Sequence, residues 1–309
     1  MSQGKNQVTD QVTDQGKQTG GTSSRAAGFW HVLVSMMSRP SGLIGVILVL
    51  FHVTIAIISP EIVPYDYKKI SNILMLSAPD SHHWLGTDQL GRDVLTRVLM
   101  GGRQALFVTA IATPIAVMWG GFLGIYLGLV GGRKDDVIMR IVDALLSLPW
   151  ILKMLLLIVT FGTGQMVLIP TLAFFYGIPV IRISRVATHD VVSRDFVQAA
   201  KARGHSLASI IFVELLPNVR DALLVEGAMR WSWMLLAFSS LSFLGFGATP
   251  PNPDWGLMIA DARGFLVVAP LAGLAPVFAL STLIIGINLT ADALAKTLGV
   301  DRARKASIA

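Results

Sequence analysis

Long apolar runs bounded by charge or proline set the pattern of this chain, at residues 42–58, 105–130, 139–161, 166–183, 223–244 and 267–289. A helix needs about 20 mostly apolar residues to cross a bilayer core, so each run predicts a spanning helix. The first is slightly short and borrows from its flanks, between Pro40 and the PEIVPYD segment that opens at Pro60. Gly and Pro interrupt the runs, as membrane helices tolerate. Ionisable groups inside them are few. His52 is expected to be neutral and to hydrogen-bond a neighbouring helix, Glu226 and Arg230 stand four residues apart and are expected to pair, and Lys153 is expected to snorkel toward the inner interface.

Between the runs, three segments break the apolar pattern. Residues 195–218 read as helix, tight turn, helix. Asp195 with Gln198 predicts a capping box, Phe196, Val197 and Ala200 share a face, and Gly204 stops the first helix in a left-handed turn. Leu207, Ile210, Ile211 and Leu215 form a second stripe that Pro217 is expected to end. Residues 83–106 predict an amphipathic lead-in helix capped by Asp88 or Asp93, with Asp93 paired to Arg97 and an apolar strip of Val94, Leu95, Val98 and Leu99. Residues 242–263 hold Pro250, Pro251 and Pro253, a stiff extended turn, beside a Trp255 suited to a membrane interface. At the start, residues 1–27 are polar, repeat QVTD twice, lack the features of a cleavable signal peptide and predict a disordered tail. Residues 29–37 predict either a surface helix or an extension of the first span.

Composition agrees with this pattern. The 309 residues are 53% hydrophobic and 14% charged, with a mean hydropathy of +0.64, which fits a multi-span membrane protein. Without cysteine, neither a disulfide framework nor a thiolate metal site can form. The net charge of +6 does not point to nucleic acid, because Lys and Arg gather in alternate connecting segments. By the positive-inside rule both termini, and with them the 195–218 hairpin, face the cytoplasm.

Motifs for chemistry are missing. No GxxxxGK followed by Ser or Thr, no HExxH and no GxSxG is present, and the adjacent His82 and His83 lack helical ligand spacing. No catalytic residue, metal site or cofactor is expected in this chain. A secondary transporter or a membrane-embedded enzyme is the rival reading, and either should show a paired set of acids, histidines or broken helices at mid-membrane depth; the sequence offers no such set.

Three motifs identify a family resemblance. Gln198, Ala199, Ala200, Gly204, Leu216 and Pro217 stand at the spacing of the EAA loop of bacterial ABC importer permeases, with Gln198 in place of the usual Glu and Glu214 in place of an apolar residue. Gly86, Thr87, Asp88, Gly91, Arg92, Asp93, Val94, Arg97, Gly101 and Arg103 match GTDxxGRDVxxRxxxGxR of the second (C-type) permease of the oligopeptide, dipeptide and nickel class. Pro250, Pro251, Pro253, Trp255, Gly256 and Met258 resemble that class's SFLGLGxxPPxPxWGxM segment, although Phe238 stands where a Glu is usual. Asn288, Asp292 and Leu294 resemble its NLLGDxL ending, with Ala291 for glycine.

The resemblance implies an all-α integral membrane protein of the type I permease fold, with six transmembrane helices and both termini cytoplasmic. A permease domain at 28–298 would lie between cytoplasmic tails at 1–27 and 299–309, in the inner (cytoplasmic) membrane. Its implied partners are a second permease, two ATP-binding subunits that use ATP and Mg, an extracytoplasmic substrate-binding protein and membrane lipid, with no nucleic acid. Dipeptides, longer peptides, nickel chelates and other small solutes are the cargo of this class.

Overall fold

Prolines open several of the helices, at positions where the missing N–H has no intrahelical partner to lose. The computed structural model describes residues 32–71 and 74–299, so the tail expected at 1–27, and that expected at 299–309 apart from its first residue, lie outside the described residues. Among the described residues the fold is helical, and the only bridge of β type joins Thr87 to Asp93. A helical turn at 32–37 leads to α1 (Pro40–Ile62). There follow α2 (Val94–Val130), α3 (Gly132–Ser147), α4 (Trp150–Phe161), α5 (Gln165–Val192), the short α6 (Asp195–Ala202), α7 (Leu216–Phe243), α8 (Trp255–Ala262) and α9 (Pro270–Thr297).

Helices α1, α2, α5 and α9 are each long and apolar enough to cross a membrane, and α3 with α4 passes as a pair. Within the span expected at 139–161 the two helices meet at a bend of 89°. Pro149 is the cause. Its ring disfavours helical geometry at the preceding residue, and Leu148 is extended with ψ 137°. Lys153 Nζ donates to the Leu145 carbonyl at 3.0 Å, capping the last turn of α3 across the bend. Helix α7 has the length but carries Arg220, Asp221, Glu226 and Arg230, which lower its hydropathy. The lead-in and the second span are also one element, since α2 runs 37 residues without a break.

Close packing of α2 against α5 forms the centre. Gly120, Gly124 and Gly128 repeat every fourth residue of α2 and turn one bare stripe toward α5. A Cβ on Gly124 would stand 2.7 Å from the Ser184 Cβ and nearer still to the Ile181 carbonyl, while one on Gly128 would stand 2.9 Å from the Arg185 carbonyl. The backbones approach because nothing stands between them. Ser184 Oγ then donates to the Gly121 carbonyl at 2.8 Å and Trp119 Nε1 to the Ala173 carbonyl at 2.9 Å. On the far side α9 packs on α1, where His52 Nε2 meets Thr282 Oγ1 at 2.9 Å, the interhelical bond expected of a neutral histidine.

Gly124→Leu must push α2 and α5 apart, at a cost of about 1–3 kcal/mol. Thermal unfolding in detergent should show a midpoint lowered by about 5 °C. Gly264→Ala, where no atom of the described residues beyond the chain neighbours lies within 4 Å of the new methyl, should leave the midpoint unchanged.

Candidate functional site

The hairpin at 195–218 begins where α5 ends. Arg194, not Asp195, occupies the N-cap of α6, and no side chain caps it. The expected capping box is absent because Asp195 already lies inside the first turn, and Gln198 Nε2 instead donates back to the Val192 carbonyl at 2.8 Å. Gly204 does what its position predicts. With φ +78°, it lets His205 N–H reach the Ala200 carbonyl at 3.2 Å and its own N–H reach Lys201 at 3.0 Å, the paired bonds of a Schellman stop.

Pro217 does not end the second arm. Ser206 caps a turn at Leu207–Ser209, the next six residues Ile210–Leu215 form a widened π-helical stretch, and α7 follows directly. Proline lacks the N–H and crowds the carbonyl four residues back; a widened turn just before it, with Leu216 N–H bonded to the Ile211 carbonyl, carries the helix past that obstacle. The arm and α7 are therefore one continuous rod.

Burial divides the hairpin into two faces. Val197, Ala200, Ile210 and Leu215 are buried in an apolar cluster with Ile125 and Leu129 of α2, Val180 and Val191 of α5, and Val219 and Leu223 of α7. Opposite them, Gln198, Ala199, Lys201, Gly204, Leu207, Phe212, Val213 and Pro217 are exposed, Leu216 is half-buried, and Phe212 and Val213 reach 55% and 62% exposure. Of the six EAA-loop residues, then, Ala200 is an anchor and the others stand at or near the outer face.

At the other end of α2 the expected outer motif folds into a buried charge cluster. Gly86 and Gly91 take positive φ values of 73° and 69°, which wrap the loop tightly enough for Asp88 to turn inward. Asp88 accepts from Leu90 N–H at 2.8 Å and Arg92 N–H at 3.0 Å, and its second oxygen meets Arg92 Nε at 2.7 Å. Arg97, only 2% exposed, pairs with Asp88 at 3.5 Å and not with Asp93 as expected. Asp93 is already engaged: it caps α2 through Thr96 N–H at 2.7 Å and meets His83 Nδ1 at 2.9 Å. Thr87 accepts from Ser77 N–H at 2.9 Å and donates to the Leu74 carbonyl.

Trp255 is not an interfacial anchor. It is 3% exposed, donates its indole N–H to the Val98 carbonyl at 2.8 Å, and lies over Gly101 and Gly102, where a Cβ on either would come within 2.6 Å of the ring. Asp261 of α8 approaches Arg92 at 4.0 Å, so the loop of 242–263 is tied to the lead-in by both charge and packing. Gly256 packs without a side chain against the Ser239 backbone, and Pro250 and Pro251 sit at the exposed tip of the turn.

Among known proteins, residues 120–300 match the family described as binding-protein-dependent transport system inner membrane component. The chain belongs to that family of transport permeases. It is a multi-pass inner membrane component of a transporter rather than an enzyme. Relatives of this permease include the dipeptide transport system permease protein DppC of Alkalihalophilus pseudofirmus, 32% identical over 83% of this chain and 84% of its own length. The glutathione transport system permease protein GsiD of Pectobacterium atrosepticum is 33% identical over 81% and 83%. The di/tripeptide transport system permease protein DppC of Pseudomonas aeruginosa is 30% identical over 87% and 90%.

Several contributors escaped the sequence reading of this permease. The four-residue repeat of Gly120, Gly124 and Gly128 was a visible signal of a close helix crossing. His83 and Asp261 carry no such signal, because their partners are distant in sequence. Asp254 before Trp255-Gly256 reads in retrospect as a cap. It accepts from Gly256 N–H at 2.9 Å and Leu257 N–H at 3.3 Å and has no exposed surface.

Burial pushes the Asp254 carboxyl up to about 6, against the pull of those N–H bonds. The fold therefore holds a proton here that the unfolded chain has released, and stability is lost as pH rises from about 4 through about 6. Asp254→Asn keeps an oxygen for both N–H groups and carries no charge. Its stability should match the parent near pH 4 and exceed it above pH 7 by on the order of 3 kcal/mol; melting curves of both proteins across that range provide the check.

Proposed function

We propose that this permease is one of two membrane subunits of an ABC importer for peptides or a related small solute, driven by two separate ATP-binding subunits. In this reading a substrate-binding protein delivers cargo to the outer face. The chain crosses six times, through α1, α2, the bent α3–α4 pair, α5, α7 and α9, with both termini cytoplasmic. ATP and Mg are used by the partner subunits and none is bound by this chain. The names of the relatives, covering dipeptides, di/tripeptides and glutathione, support a short peptide as cargo.

The observation that carries the reading is the hairpin. It has an anchored inner face and an exposed outer face of apolar and basic residues, which suits it to a groove on a soluble ATPase. Its second arm runs straight into α7, so displacement of the outer face is delivered to a spanning helix without a hinge. Cytoplasmic placement of the hairpin agrees with the gathering of Lys and Arg in the segments on that side.

Among the described residues no atom beyond the chain neighbours lies within 4 Å of a Cβ built on Gly204, so a side chain there meets only the strain of positive φ, on the order of 1 kcal/mol. Gly204→Asp should therefore insert at the wild-type level yet fail to retain the ATPase subunits or to import cargo in reconstituted vesicles. His205→Ala, which keeps the backbone bond to Ala200, should do both normally. Import by Gly204→Asp at the wild-type rate would mean that the hairpin is an ordinary loop.

A further inference from the structure

An ion pair lies in the middle of α7, in a segment otherwise built for a membrane. Arg230 is the fifteenth of the 28 residues of Leu216–Phe243, and its Nε donates to Glu226 one turn earlier. Glu226 is buried, whereas the Arg230 side chain is 21% exposed. Nε is the only side-chain nitrogen of Arg230 that makes a hydrogen bond among the described residues. The four N–H donors on its two Nη atoms are left over. Beside it Tyr176 of α5 donates to the Trp233 carbonyl at 3.1 Å, and Met229 and Trp233 are exposed at 47% and 57%.

Hydrocarbon can satisfy none of those donors, and intramembrane charge persists where it faces water, protein or a transported solute. The guanidinium lies beside Tyr176 of α5 and keeps part of its surface exposed. We propose that Arg230, held in place by Glu226, lines the solute path at mid-depth and hydrogen-bonds carboxylate or carbonyl oxygens of the passing cargo. A planar guanidinium with its Nη edge free suits a carboxylate or a peptide backbone. This rests on the permease reading above and adds a residue that discriminates cargo.

The test uses the whole transporter with its binding protein in proteoliposomes, the other subunits being made cysteine-free as this chain already is. The thiol of Arg230→Cys should react with a membrane-impermeant methanethiosulfonate, and a saturating dipeptide should slow that reaction. Tyr176→Cys, beside it, should behave alike and serves if Arg230→Cys does not assemble. Arg230→Gln should raise KM for the dipeptide about tenfold, the worth of one charge-assisted hydrogen bond, with the amount of assembled transporter unchanged. Arg230→Lys should recover most of that loss. A structural pair alone would change assembly and leave KM as it was. Absence of labelling at both positions in every nucleotide state, or labelling that dipeptide does not slow, overturns the proposal. If the unmodified chain did not assemble with ATP-binding subunits at all, the permease reading would fail instead, and that outcome is scored before any cysteine is introduced.

Discussion

The approach of α2 to α5 across a stripe of bare glycine backbone is the constraint on which the remaining structure depends. In lipid no hydrophobic force draws two helices together, so they associate where small residues let backbones and their hydrogen bonds come close. Gly120, Gly124 and Gly128 supply that closeness, and Ser184 and Trp119 use it to donate across the interface. Toward its N-terminal end, Gly101 and Gly102 of α2 seat Trp255 and the first turns hold Arg97 against Asp88. Toward its C-terminal end, Ile125 and Leu129 of α2 and Val191 of α5 hold the hairpin. One helix pair thus links the two ends of the molecule.

The two ends of α2 are built on different physics. At its N-terminal end charge is buried: Asp88, Arg92 and Arg97 satisfy one another and the loop backbone, in an arrangement that removal of one partner would leave uncompensated. Such a cluster fixes the shape of a loop more than it adds stability. At the other end the hairpin is held mainly by apolar burial, while its charged residues face outward. That division leaves its exposed face available to another protein and keeps its position tied to α2, α5 and α7.

Much of this was legible in the sequence, and the departures have specific causes. Apolar runs locate helices well because membrane length is a strong constraint, and Gly204 marked its own turn because few residues tolerate positive φ. The reading that Pro217 ends a helix failed because a local rule was applied without the widened turn at Ile210–Leu215 that absorbs it. Pairing Asp93 with Arg97 by spacing failed because tertiary partners, His83 and Asp88, compete for the same groups. Trp255 looked interfacial by type, but two glycines more than 150 positions earlier provide its seat. Spacing along one helix predicts neighbours on that helix and carries no information about what packs across it.

If the hairpin is part of a rigid body, its motion and that of α2 are one motion. Spin labels at Ala208→Cys on the exposed arm and Phe107→Cys at the outer part of α2 measure this directly, in the assembled transporter with and without trapped nucleotide. The account predicts that the distance between them stays constant while each label moves relative to the second permease. A change between the two labels of one helical turn, about 5.4 Å, or more would show the hairpin hinging on its own, and would contradict it.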